Sequence, residues 1–303
     1  MMAYADFLVQ ARELHKHLHD DDWRVVDCRF DLANPEKGCS EYLAGHIPGA
    51  VYAHLDRDLA SPVTEHTGRH PLPDPEAFAL TLGRLGIARN THVVAYDHGS
   101  GAIASRLWWL MRWMGHPSVR LLDGGLAAWR RAELPLDTAV PDVEPARYHG
   151  EPDPGMVVTT EDVERALASG NPLPLVDARE PARFEGRTEP IDAVAGHIPG
   201  ARNLPFSSNL TPEGEWRSPA ELRQAWERVL GPPHEVPEGD RGHLAVMCGS
   251  GVTACHLAVS AGLAGRPLPR LYAGSWSEWI REPGRPVATG RAEKGKEPGA
   301  EGG

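Results

Sequence analysis

The chain contains an internal duplication, because four motifs of its first half recur in the same order in its second half. The repeated segments are 25–29 with 175–179, 44–50 with 195–201, 99–105 with 249–255, and 124–129 with 274–279. Three of these motifs recur after 150 positions and one after 151. Four matches in one order and at nearly one spacing predict two copies of a single domain.

Each copy alternates between helix and strand patterns. Residues 5–19 and 159–169 have the spacing of amphipathic helices, and Thr159 or Thr160 is a suitable N-cap for the second of them. The short apolar runs rich in β-forming residues are 24–27, 92–96 and 119–122 in the first copy, and 173–177, 243–247 and 269–272 in the second. Such runs between helices predict an α/β fold, with a mainly parallel sheet flanked by helices in each copy.

The repeat spacing and shifts in composition suggest the domain boundaries. We expect an N-terminal domain over residues 1–136 and a second domain over residues 159–287. Residues 137–158 are rich in Pro, Asp and Glu and lack periodicity, so they are predicted to be a linker. The Gly-, Lys- and Glu-rich tail 288–303 is predicted to be disordered.

Composition and charge exclude several classes of protein. Of the 303 residues, 41% are hydrophobic, which is too many for a mostly disordered chain. No run approaches the ~18–20 apolar residues that span a bilayer. The net charge of −11 argues against nucleic acid or an anionic membrane as a partner. Four cysteines are too few for a disulfide scaffold, and no secretion signal is recognisable at the first residues, so we expect reduced thiols and a cytoplasmic location.

Cys248 is the candidate nucleophile. It follows the predicted strand 243–247 and precedes a Gly-rich loop and an apolar helix. Open α/β sheets bind ligands at the carboxyl ends of their strands. Loop N–H groups and the positive end of the helix dipole would stabilise a thiolate over a thiol, and would also hold an anion such as sulfite or a carboxylate. The alternative is an unreactive buried cysteine.

The first copy lacks a thiol at the position that corresponds to Cys248. His98 occupies this position at a displacement of 150, and Asp97 occupies it if the gap is placed one residue later. Neither side chain is a sulfur nucleophile. The duplication therefore predicts one active half and one catalytically silent half.

These motifs resemble the two-domain rhodanese family of sulfurtransferases, which includes thiosulfate and 3-mercaptopyruvate sulfurtransferases. The matching segments are the two Gly-His-Ile-Pro-Gly-Ala motifs, the run Cys248-Gly-Ser-Gly-Val-Thr253, and the segments that end at Trp129 and Trp279. The resemblance covers about residues 1–287 and implies two rhodanese-like domains with the catalytic cysteine in the second. It also implies a six-residue substrate-binding loop formed by Cys248, Gly249, Ser250, Gly251, Val252 and Thr253. Ala273 departs from the family, which often has Asp at this position.

The resemblance also implies a double-displacement reaction. The Cys248 thiolate attacks the outer sulfur of a small anionic donor, and a persulfide forms as sulfite or pyruvate leaves. A thiol, cyanide or a protein thiol then accepts the sulfur. No metal or organic cofactor is implied.

Other residues enter through the same resemblance. Arg183 matches an arginine that binds the substrate anion, whereas Arg179 either supports the pocket or forms a salt bridge. Ser250, His70 and Asp56 match a Ser-His-Asp relay of the mercaptopyruvate branch. A loop-capping role is the alternative for Ser250.

Two signals conflict on the identity of the donor. The neutral loop Gly249-Ser250-Gly251 is similar to the mercaptopyruvate branch, because the thiosulfate branch usually has basic residues there. Mercaptopyruvate enzymes generally carry a second arginine in a Glu-Pro-Arg segment, but here Ile191 follows Pro190. The donor is left nearly balanced, with a lean to 3-mercaptopyruvate.

Two other functional classes remain open from the sequence. A cysteine-loop phosphatase or arsenate reductase would need an arginine six residues after the cysteine, and position 254 is Ala. A non-catalytic sulfur carrier or binding module is the other alternative.

Overall fold

The structure, a computed structural model, describes residues 4–231 and 244–291. Within it, the first half forms one five-stranded parallel sheet. Its strands are β1 (Leu8–Val9), β2 (Trp23–Asp27), β3 (Val51–Tyr52), β4 (His92–Tyr96) and β5 (Val119–Leu122). Its helices are α1 (Ala11–Lys16), α2 (Lys37–Ala44), α3 (Leu55–Asp58), α4 (Pro75–Arg84), α5 (Ala104–Trp113) and α6 (Gly125–Arg131). The strand order is β1-β5-β4-β2-β3.

The second half repeats this sheet. Its strands are β6 (Val157–Val158), β7 (Leu175–Asp177), β8 (Arg202–Asn203), β9 (Ala245–Met247) and β10 (Arg270–Tyr272). Its helices are α7 (Thr160–Ala168), α8 (Pro181–Phe184), α9 (Pro219–Leu230), α10 (Thr253–Leu263) and α11 (Ser275–Trp279). The order β6-β10-β9-β7-β8 matches that of the first half, which confirms the duplicated α/β fold.

Most predicted elements are found, but the predicted helix 5–19 is wrong at its start. Leu8 and Val9 form a strand whose register places them opposite Leu121 and Leu122, and α1 begins only at Ala11. Pairing at the sheet edge buries both residues, and this tertiary gain overrides the helical spacing. The helix predicted over 159–169 is confirmed as α7, with Thr159 as its N-cap.

The predicted linker 137–158 ends too late. Val157 and Val158 form β6 and pair with Leu271 and Tyr272, so the second sheet begins inside the predicted linker. The predicted tail also begins too early, because Ala288 pairs with His197 through two backbone hydrogen bonds. The rest of the tail from residue 292, and residue 243 of the predicted strand 243–247, lie outside the described residues.

The two halves pack against each other through the equivalent helices α5 and α10. Trp108 and Trp109 of α5 are fully buried, and they share one apolar core with residues of α10 such as Leu257. This packing brings the loop that precedes α10 against the first half. Within the described residues, no helix combines the length and apolar character needed to cross a membrane.

Candidate active site

Cys248 is the first residue after β9 and lies at the carboxyl end of the sheet, as predicted. Its side chain is buried, and its Sγ accepts hydrogen bonds from the N–H groups of Gly251 at 3.1 Å and Ser250 at 3.4 Å. Gly251 has a φ of +77°, and a Cβ there would lie 2.4 Å from the carbonyl oxygen of Ala273. Only glycine fits this position, so the loop can curl its N–H groups around the sulfur.

The loop is fixed in place by α11. The N–H of Cys248 donates to Ser275 Oγ at 3.1 Å, and its carbonyl oxygen accepts the N–H of Trp276 at 3.0 Å. The carbonyl oxygen of Gly249 accepts the N–H of Ser277 at 2.9 Å. Val252 and Thr253 complete the loop and line the cavity beside Cys248, with Thr253 as the first residue of α10.

The strand registers show which residue of the first half matches Cys248. Asp27 lies opposite Tyr96 in the first sheet, and its repeat Asp177 lies opposite Met247 in the second. The residue that follows Tyr96 is Asp97, so Asp97 and not His98 is the counterpart of Cys248.

The two other buried cysteines, Cys28 and Cys255, are unsuited to nucleophilic attack. Burial raises the pKa of Cys255 to about 12, and it raises the pKa of Cys28 well above its ordinary value. Both side chains therefore remain thiols at neutral pH. Cys255 packs in α10, where its Sγ donates to the carbonyl oxygen of Gly251 at 3.3 Å.

A cavity of about 220 Å³ opens beside Cys248 between the two halves. Among the residues that line it are Phe30, Arg69 and His70 from the first half and Arg183, Ile191 and Phe206 from the second. Because both halves contribute to its wall, the first half takes part in forming the candidate site.

Arg183 lines this cavity, as the sequence predicts. Its Nε donates to Glu189 Oε1 at 3.0 Å, and its Nη2 donates to Asp192 Oδ2 at 2.9 Å. Burial alone would raise the pKa of Glu189, but the hydrogen bonds from Arg183 and from the N–H of Asp192 lower that pKa below its ordinary value. The guanidinium is therefore held by two carboxylates while it lines the cavity.

The structure favours the salt-bridge role for Arg179. Its guanidinium donates to Asp177 at 2.8 Å and to the carbonyl oxygen of Gly196 at 2.7 Å. Arg29 makes the same two contacts with Asp27 and Gly45 in the silent half. A contact that both halves share supports the fold, although Arg179 also reaches the cavity wall.

Arg69 is a second cavity guanidinium that the sequence did not reveal. Its N–H donates to Ser277 Oγ at 3.1 Å, and its Nη1 donates to Asp192 Oδ1. A Cβ built on Gly249 would lie 2.9 Å from the Nη2 of Arg69 and 3.6 Å from that of Arg183. Two guanidinium groups, one from each half, therefore flank the start of the loop. Adjacency to His70 was the only sequence signal for this residue.

Ser250, His70 and Asp56 are brought together in one chain of contacts. Ser250 Oγ lies 2.8 Å from His70 Nδ1, and His70 Nε2 lies 3.1 Å from Asp56 Oδ1. Burial lowers the pKa of His70, an effect that the hydrogen bond with Asp56 opposes and the charge of Arg106 reinforces. The hydrogen bond with His70 in turn lowers the pKa of Asp56. At neutral pH the imidazole is neutral and can exchange a proton with the Ser250 hydroxyl.

Arg106 of α5 connects the Cys248 loop with His70, and the sequence analysis did not identify it as a site residue either. It is fully buried, and it donates to the carbonyl oxygens of Gly251 at 3.2 Å and His70 at 3.1 Å. A buried guanidinium thus joins the Cys248 loop to His70.

In the described ranges, no group of three or more His, Cys, Asp or Glu side chains is placed to hold a metal ion.

Comparison with known proteins gives the family. The sequence profile of the rhodanese-like domain matches residues 10–132 and again residues 159–282. The chain belongs to the rhodanese-like family. It contains two such domains, one in each half.

The rhodanese relatives match nearly the whole chain. A protein of Pseudomonas aeruginosa named as a probable 3-mercaptopyruvate sulfurtransferase is 48% identical over 93% of this chain and 98% of its own length. SseB of Mycobacterium tuberculosis, named as a putative thiosulfate sulfurtransferase, is 38% identical over 96% of this chain and all of its own length. With its two rhodanese-like domains and these relatives, the chain is a two-domain rhodanese sulfurtransferase. The crystal structure of the 3-mercaptopyruvate enzyme SseA from Escherichia coli superposes with a TM-score of 0.76 and 33% identity, covering 89% of this chain and 99% of that one.

Proposed function

We propose that this sulfurtransferase moves a sulfane sulfur from 3-mercaptopyruvate or thiosulfate to a thiol or cyanide through a persulfide on Cys248. The observation that carries the proposal is the Cys248 sulfur, held by the N–H groups of Ser250 and Gly251 at the wall of a cavity that Arg183 also lines. These N–H groups stabilise negative charge on the sulfur, and the guanidinium attracts an anionic donor.

Each of the two displacements breaks one bond to the transferred sulfur. The Cys248 thiolate attacks the outer sulfur of thiosulfate or the thiol sulfur of 3-mercaptopyruvate and forms an S–S bond. The S–S bond of thiosulfate or the C–S bond of 3-mercaptopyruvate breaks, and its electrons leave with sulfite or with the enolate of pyruvate. The acceptor then attacks the outer sulfur of the persulfide, and Cys248 leaves as a thiolate. Cyanide becomes thiocyanate, and a thiol or protein thiol becomes a persulfide.

The neutral loop and the Ser250 relay favour 3-mercaptopyruvate as the donor. The enolate that leaves from this donor must gain a proton, and we infer that the Ser250–His70 pair, with Ser250 Oγ 2.8 Å from His70, accepts the thiol proton of the donor and passes it to the enolate. Sulfite, which leaves from thiosulfate, has no such need. Ile191 stands where the mercaptopyruvate branch generally has a second arginine, but Arg69 brings a second guanidinium to the same cavity.

We assign the protein to a reducing, cytoplasmic compartment with small molecules or protein thiols as partners. Its four cysteines are free thiols, and its net charge of −11 disfavours nucleic acid and anionic membranes.

Parallel steady-state assays with both donors and cyanide as acceptor test the proposal. We expect a higher kcat/KM for 3-mercaptopyruvate, and we expect Cys248→Ala to lose activity with both donors. Cys39→Ala, which removes a cysteine outside the cavity, is the matched control and keeps activity. Activity retained by Cys248→Ala would overturn the mechanism, and a strong preference for thiosulfate would overturn the choice of donor.

A further inference from the structure

Asp192 lies behind the donor cavity and connects the two guanidinium groups that face it. Its side chain is only 4% exposed. One carboxylate oxygen accepts from Arg69 of the first half, and the other accepts from Arg183 of the second half at 2.9 Å. The N–H of Asp192 donates to Glu189 at 3.1 Å, which fixes its backbone in the same network. A single buried carboxylate thus neutralises charge on both sides of the domain interface.

The charged groups around the cavity leave no surplus of positive charge. The guanidinium groups close to the cavity and the loop are those of Arg69, Arg106, Arg179 and Arg183. The carboxylates in contact with these arginines or with the relay are those of Asp56, Asp177, Glu189 and Asp192. With Glu180 at the exposed rim included, four positive charges therefore face five negative charges, and no guanidinium charge is in surplus.

A cavity without surplus positive charge discriminates between donors by their charge. A donor with one carboxylate brings one negative charge, whereas thiosulfate is a dianion at neutral pH. Moving a charge out of water is costly unless a countercharge meets it. The second charge of thiosulfate finds no surplus guanidinium in this cavity, because Asp192 and Glu189 already neutralise those present.

We propose that Asp192 determines donor specificity: by neutralising guanidinium charge behind the cavity, it makes the site favour a monoanionic 2-oxo carboxylate donor over dianionic thiosulfate. This inference rests on the proposed sulfur transfer through Cys248. Asp192 acts through Arg69 and Arg183 and is a positioning and charge-setting residue rather than a group that touches the donor.

The proposal is tested by two substitutions that change the cavity charge in opposite directions. Asp192→Asn removes a negative charge and keeps the shape of the side chain. We expect it to raise the ratio of kcat/KM for thiosulfate to kcat/KM for 3-mercaptopyruvate by about tenfold. Arg69→Met removes a positive charge, and it should lower the same ratio because the dianion loses more attraction than the monoanion. Both are measured with cyanide as acceptor.

Glu41→Gln is the matched control. Glu41 stands four residues before the Gly-His-Ile-Pro-Gly motif of the silent half, as Asp192 does in the active half, and it contacts His98 instead of the cavity arginines. This variant makes the same change in net charge and should leave the ratio unchanged.

The outcomes separate this inference from the proposed function. A ratio that rises in Asp192→Asn and falls in Arg69→Met supports it. Equal losses with both donors in Asp192→Asn would show that the carboxylate only tethers the arginines, and would overturn it. If circular dichroism shows that Asp192→Asn does not fold, Arg69→Met alone decides, and an unchanged or higher ratio overturns the proposal. A wild-type protein that forms no persulfide with either donor contradicts the proposed function itself.

Discussion

Asp97 and Cys248 occupy equivalent positions in the two halves, and each directs its side chain at the N–H groups of the loop that follows it. The N–H of Gly101 donates to Asp97 Oδ1 at 2.9 Å, as the N–H of Gly251 donates to Cys248 Sγ at 3.1 Å. Asp97 also accepts the N–H groups of Gly99, Ile103 and Ala104. The first half therefore fills its own anion cradle with a carboxylate, which gives a physical reason for the prediction that this half is catalytically silent.

The Asp97 carboxylate should stabilise the first half. Asp97→Asn keeps the shape but directs an NH₂ group or a neutral oxygen at four N–H donors. We expect the free energy of unfolding to fall by about 1.5–3 kcal/mol, the range for hydrogen bonds to a charged group. Urea denaturation of wild type and variant measures this, with the loop substitution Ser100→Ala as the control. An unchanged free energy would show that the cradle does not depend on the charge.

Arg183 is expected to bind the anionic donor. Arg183→Ala should lower kcat/KM for both donors by one to two orders of magnitude, because about 1.5–3 kcal/mol of charged hydrogen bonding is lost. Arg187→Ala is the control, because the exposed guanidinium of Arg187 pairs with Glu185 and lies outside the cavity. An Arg183→Ala enzyme with the wild-type rate would remove this residue from the donor site.

The Ser250 relay should matter for one donor and not for the other. Ser250→Ala is expected to lower kcat/KM for 3-mercaptopyruvate by about 10²-fold, a typical contribution of general acid–base catalysis, with little effect on thiosulfate. Because burial lowers the pKa of His70, the wild-type rate should persist below pH 6.5 and fall only as the imidazole becomes protonated. His70→Gln should abolish this acidic limb of the pH profile. Equal losses with both donors would leave Ser250 a loop-capping role.

His256 should make stability depend on pH. Burial lowers its pKa from 6.5 to about 3, so the unfolded chain takes up a proton before the folded protein does. The free energy of unfolding should therefore decrease as the pH falls from about 6.5 to about 3. His256→Phe keeps an aromatic ring against Trp216 and removes the titration, so its stability curve should be flatter. The exposed His66→Gln should leave the curve unchanged, and an equally steep curve for His256→Phe would contradict the assignment.

The sequence was sufficient for features that are local or repeated. The 150-residue spacing predicted two copies of one parallel sheet, and the Gly-rich run after the strand predicted the N–H groups around Cys248. Contacts between distant segments could not be predicted from local patterns, and the contact of Ser250 with His70 was expected only through the family resemblance. Arg69 lies at the cavity with its N–H bound to Ser277, more than two hundred residues away. The strand Leu8–Val9 likewise depends on its partner β5, which local periodicity cannot show.

Intact-mass spectrometry after incubation with 3-mercaptopyruvate tests most directly whether Cys248 carries the transferred sulfur. We predict that the wild-type chain gains the mass of one sulfur atom and loses it when cyanide is added, and that Cys248→Ala gains nothing. A wild-type chain whose mass does not change with either donor, or a Cys248→Ala variant that still acquires the sulfur, would contradict the account.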